Sequence, residues 1–167
     1  MFRRFAIRDL LILAATVGLW WLSLAVAPGT TLASVLSISA GVGAAVCAYD
    51  LHEWGHLLGA HLTDSVYVPA RRVISPFLFS YDAERNTRAQ FLVMSLAGFA
   101  ATAVFVLALW LWMPQDQLAG RIAWRGALVL AALTVVIELP IFFRALLGKT
   151  VPRTGMFKGP TVGGSER

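Results

Sequence analysis

Residues 52–56 read His-Glu-Trp-Gly-His. Two histidines four positions apart lie on one face of a helix, so His52 and His56 can both offer imidazole nitrogens to one metal ion. This is the spacing of zinc-dependent hydrolysis. Glu53 stands beside such a metal rather than on it, where its carboxylate can take a proton from water. A catalytic zinc takes three protein ligands, so the third must come from elsewhere. Glu138 is the best candidate by depth. It lies six residues before Arg144, and His56 lies six residues before Leu62. At about 1.5 Å per residue, both sit roughly 9 Å below the same surface. A lone carboxylate there needs a partner. Zinc would provide one; a proton, Arg144 or His52 are the alternatives. Asp82 is the next candidate, if its loop folds back. Asp50 points elsewhere on the helix and could orient a histidine instead. His61 falls near the face opposite His52 and is a poor ligand.

The elements that must position these residues are strongly apolar. The chain has 167 residues, of which 58% are hydrophobic and 14% charged, with a mean hydropathy of +0.72. Soluble domains carry about 25% charged residues. The composition is that of one integral membrane domain. The net charge of +5 does not mark a nucleic-acid binder, because the basic residues gather at helix ends and no basic patch interleaves with aromatics. The single cysteine, Cys47, lies in an apolar segment, where it reads as a small core residue.

Four apolar segments follow one another. Residues 10–27 form the first, after Arg3, Arg4 and Arg8. The run is long for a signal peptide, and Pro28 would follow the cut, so it reads as a retained spanning helix. A turn at Pro28-Gly29 leads to a second helix over 31–62, which carries the metal motif in its last third. Its Gly41, Gly43, Gly55 and Gly59 permit close helix approach. Residues 63–89 are the one substantial polar stretch. Val66-Tyr67-Val68 and Val73-Ile74 look like strands, and a membrane-dipping or plain connecting loop fits equally. A third helix over about 90–113 opens with a stripe of small residues at 95–101 and ends on Trp110 and Trp112, as an aromatic belt would. After a short loop at 114–120, a fourth helix over about 122–147 holds Glu138. Pro140 either opens this helix toward a cavity or simply kinks it. Residues 149–167 read as a flexible cytoplasmic tail.

The expected fold is therefore all-α: a polytopic membrane protein with four transmembrane helices and one cytoplasmic loop with room for short strands. Twelve of the fourteen Lys and Arg residues fall at one side of such a bundle, against Arg121 and Arg125 at the other. The positive-inside rule then puts both termini, the long loop and the metal motif toward the cytoplasm. The compact topology points to a bacterial inner (plasma) membrane.

The segment from His52 to Ala60 resembles the zinc motif of the site-2 protease family of intramembrane metallopeptidases. The stretch from Arg88 to Gly98 resembles the segment where that family's next core helix begins. The order of zinc helix, polar loop, small-residue helix and polar-bearing helix is similar too, over roughly residues 31–148. The resemblance implies one metallopeptidase-like domain over 1–148. It implies zinc (Zn2+) held by His52 and His56, with Glu53 as catalytic base. The substrate would be a transmembrane protein cut within or beside its membrane segment. The fourth helix departs from the pattern. Where the family carries Asn-x-x-Pro and then Asp-Gly, with that Asp as third ligand, alignment on Pro140 puts Ile137 at the Asn and Ala145 at the Asp. Glu138 is the only acidic residue of this helix. A catalytically degenerate relative that binds a membrane partner is the alternative reading. A small metal transporter is a weaker one, since one polar cluster offers no continuous polar path.

Overall fold

The computed structural model describes residues 2–148; the tail expected over 149–167 lies outside the described residues. Four long helices follow in order, α1 (Arg3–Ala25), α2 (Thr31–Leu62), α3 (Arg88–Trp112) and α4 (Leu118–Leu146). Each is long and apolar enough to cross a membrane. Two short strands, β1 (Tyr67–Pro69) and β2 (Phe79–Tyr81), lie between α2 and α3.

Local chemistry sets the helix ends. Gly29 takes a positive φ of 81° in the turn after α1, a conformation that costs glycine nothing. Thr30 then caps α2, its Oγ1 accepting from Ala33 N at 3.2 Å. At the far end of α2, Asp64 turns left-handed with φ 50°, and Ser65 N closes back onto Ala60 O at 2.9 Å. Aspartate tolerates this conformation better than most residues. A reciprocal cap starts α3. Thr87 Oγ1 accepts from Gln90 N at 3.3 Å, and Gln90 Oε1 accepts from Thr87 N at 2.7 Å.

Two boundaries differ from the sequence expectation. Helix α1 begins at Arg3 rather than near residue 10, because its arginines have partners. Arg4 donates to Ala70 O, and Arg8 Nη1 donates to Val73 O at 2.7 Å and Ser75 O at 2.8 Å. The start of α1 is thereby tied to the loop after α2. Helix α4 begins at Leu118, four residues earlier than expected, so the preceding loop shrinks to 114–117.

Helix α2 is the centre of the bundle and packs against α1, α3 and α4. The loop closes one end. There Phe5, Leu57, Leu78, Phe79, Tyr81, Phe91 and Met94 form a buried cluster drawn from α1, α2, the loop and α3. At the same end, Arg88 Nη2 reaches Leu146 O at 2.5 Å, joining the start of α3 to the end of α4. Much of the bundle's outer surface is apolar. Trp21, Val104, Trp112 and Val136 are each more than 60% exposed.

The strand partner is not Val73-Ile74. Strand β1 pairs antiparallel with β2, with Tyr67 opposite Tyr81 and Pro69 opposite Phe79. Ala70 N extends the ladder to Leu78 O at 2.9 Å. The choice follows burial. Phe79 and Tyr81 alternate inward and are almost wholly buried, whereas Ile74 sits in a turn and is 84% exposed. Val66 lies just before β1, where its O accepts from Asp82 N at 3.2 Å and the Asn86 side chain bonds both its backbone groups, at 2.6 and 2.7 Å.

Candidate metal centre

His52 and His56 lie one turn apart on α2, with ring centroids 4.3 Å apart. Their Nδ1 atoms both turn toward α3. His56 Nδ1 lies 3.0 Å from Met94 O. His52 Nδ1 lies 2.8 Å from Thr102 Oγ1 and 3.1 Å from Gly98 O. A carbonyl oxygen only accepts, so both Nδ1 atoms carry protons. The antiparallel register of the two helices produces this pairing. His52 Nδ1 meets Gly98 O and Thr102, and His56 Nδ1 meets Met94 O one turn nearer the start of α3.

The helices come close enough because small residues line the seam. A side chain at Gly55 would put its Cβ 2.7 Å from Ala97 O. The His56 ring lies directly on Gly98, where a Cβ would fall 2.5 Å from Nδ1 and 2.7 Å from Nε2. Real Cβ atoms do not approach so closely, so glycine is required at 98 for the ring to sit where it does.

The Nε2 atoms converge on Glu138 from α4. Glu138 Oε1 is 3.2 Å from His52 Nε2, and Oε2 is 3.1 Å from His56 Nε2. The two Nε2 atoms are 2.9 Å apart. One donor atom from each residue lies within 4.8 Å of the others. With Nδ1 protonated, an imidazole in its neutral form turns the Nε2 lone pair inward, beside two carboxylate oxygens. A single proton could serve only part of this set, whereas a cation at the centre serves all of it. Two imidazoles and a carboxylate form a donor set suited to zinc. The residues present therefore fit the metal that the motif implies. His52, His56 and Glu53 are 1–2% exposed, while the Glu138 side chain is 19% exposed.

Glu53 lies outside the converging set. Its Oε2 accepts from Leu78 N at 3.3 Å, and Leu78 is fully buried. The loop between the strands thus reaches down to the carboxylate expected to act as base.

Two sequence candidates are placed elsewhere. Asp82 is no ligand. Its Oδ1 accepts from Glu84 N and Arg85 N, both at 3.1 Å, and caps the turn ahead of α3. Asp50 orients no histidine. It faces α1, with Oδ1 3.5 Å from Arg8 Nη2. Asp9 completes that cluster, accepting from Arg8 Nε at 2.6 Å and from Trp54 Nε1 at 2.7 Å. His61 is exposed near the end of α2, and Arg144 is exposed while Glu138 pairs with the histidines. Helix α4 runs on past Pro140.

Thr102 and Leu78 have no role in the sequence reading, which holds Gly98 only as part of a small-residue packing stripe. A threonine within an apolar helix was the available signal for the first. Thr102 also lines an apolar cavity of about 730 Å³ between α3 and α4, together with Leu139, the neighbour of Glu138. No family model matches this chain, and neither a curated protein nor a solved structure matches it.

Proposed function

We propose that this chain is an intramembrane zinc metalloprotease of site-2 type. The observation that carries the reading is the meeting of His52, His56 and Glu138, from two separate helices, beside Glu53. The bundle lies in a membrane. Its four apolar helices and exposed apolar surface support this. Both termini and the loop face the cytoplasm, as the basic residues at that end argue.

His52, His56 and Glu138 would hold the metal. Bound there, zinc would act as a Lewis acid on the scissile carbonyl and make a water more acidic. Glu53 accepts the proton of the attacking water on its carboxylate and passes it to the departing amine. The substrate is a membrane segment that is unwound locally, since a helical peptide group is bonded within its own helix. The cavity between α3 and α4 lies beside the centre and supplies apolar room for such a segment.

Reconstitution into vesicles with a panel of single-span proteins tests this reading. Some members should be cut within or beside the span. A zinc chelator should reduce cutting at least tenfold, and added zinc should restore it. No cutting of any member by zinc-loaded protein would contradict the proposal.

A further inference from the structure

We infer that Thr102 is a positioning residue that, together with Gly98 O, holds His52 in its Nδ1-protonated tautomer and thereby raises the affinity of the metal centre. The inference rests on the metal-binding reading above and deepens it. Thr102 Oγ1 is the nearer acceptor for His52 Nδ1, at 2.8 Å against 3.1 Å for Gly98 O. Its own hydroxyl proton is directed to Gly98 O at 3.2 Å. The bonds then run in one direction, from His52 Nδ1–H to Thr102 Oγ1 and from Thr102 Oγ1–H to Gly98 O. In this direction His52 presents an unprotonated Nε2 toward His56 and Glu138.

The two histidines are unequal in this respect. His56 is held by a backbone carbonyl, Met94 O, which no substitution removes. His52 is held in part by a side chain. Gly98 O is already shared, because it lies four residues before Thr102 in a continuous helix and receives that residue's backbone N–H. A hydroxyl at 102 relieves it of being the sole acceptor for the imidazole. Outer partners of this kind orient a ligand and raise its basicity, and their loss typically costs about 10–100-fold in metal affinity.

The test is a zinc competition titration on detergent-purified protein against a chromophoric chelator. It compares the unmutated chain with Thr102→Val, Thr102→Ser and, as reference, His56→Ala. Valine keeps the shape of threonine and removes the hydroxyl; serine keeps the hydroxyl. Thr102→Val should bind zinc about 10–100-fold more weakly, with helicity unchanged by circular dichroism. Thr102→Ser should recover most of the affinity. In the zinc-loaded chain, the imidazole nitrogen resonances should report a proton on His52 Nδ1, and that signal should broaden or shift in Thr102→Val. Unchanged affinity in Thr102→Val would overturn the inference while leaving the metal site intact. Equal weakening in the valine and serine variants would also overturn it, because keeping the hydroxyl would then not keep the affinity. Failure of the unmutated chain to bind zinc would overturn the metal reading itself, and this inference with it.

Discussion

Glu53→Gln should abolish peptide cleavage while leaving the metal bound. The substitution keeps the size of the side chain and its acceptor for Leu78 N–H, so the loop contact at 3.3 Å survives. It removes only the capacity to take a proton. General base catalysis contributes about 10²–10⁴-fold, and a loss of that size is expected. Zinc content should not change, because Glu53 is outside the ligand set. Thermal stability should hold or rise, since the variant no longer buries a carboxylate that is 1% exposed. Timed cleavage of a reconstituted single-span substrate, with metal analysis on the same preparation, makes the check. Residual activity within tenfold of the unmutated protein would place the base elsewhere.

Gly98→Ala should disable the centre from outside the ligand set. One methyl at this position would stand 2.5 Å from His56 Nδ1 and 2.7 Å from Nε2. The contact atoms belong to a stiff ring with two anchors, Met94 O at Nδ1 and the converging donors at Nε2. The ring cannot yield without breaking one of them. Separating α2 from α3 instead would open the seam at Gly55, where the backbones are equally close. Overpacking of this kind costs about 1–3 kcal/mol. Zinc affinity should fall at least tenfold, and a titration beside a thermal melt distinguishes ring displacement from general unfolding. Unchanged affinity would show that the ring has room to move.

The helices and the grouping of His52, His56 and Glu138 were legible in the sequence for separate reasons. Long apolar runs have few structural alternatives, so α2 emerged with the bounds Thr31–Leu62. The spacing of His52 and His56 is a property of one helix. Glu138 came from depth, because two helices ending at one surface bring equal depths together. Residues 63–89 were less legible. A three-residue strand has no periodicity to reveal it, and Phe79–Tyr81 became the partner of β1 through burial in a cluster shared with α1, α2 and α3. Asp82 and Asp50 were ambiguous because a carboxylate's role depends on the donors it meets. Asp82 meets two amides of its own turn, and Asp50 meets Arg8 from another helix. Thr102 was hidden because its role depends on the register between α2 and α3, which no single segment encodes.

Zinc content of the detergent-purified protein, compared with His56→Ala and Glu138→Ala, tests the central claim most directly and needs no substrate. About one zinc per chain is expected in the unmutated protein, held by His52, His56 and Glu138, with loss of zinc in both variants. Zinc retained by Glu138→Ala would contradict the assignment of the third ligand. No zinc in the unmutated protein, even after reconstitution with the metal, would contradict the metalloprotease reading as a whole.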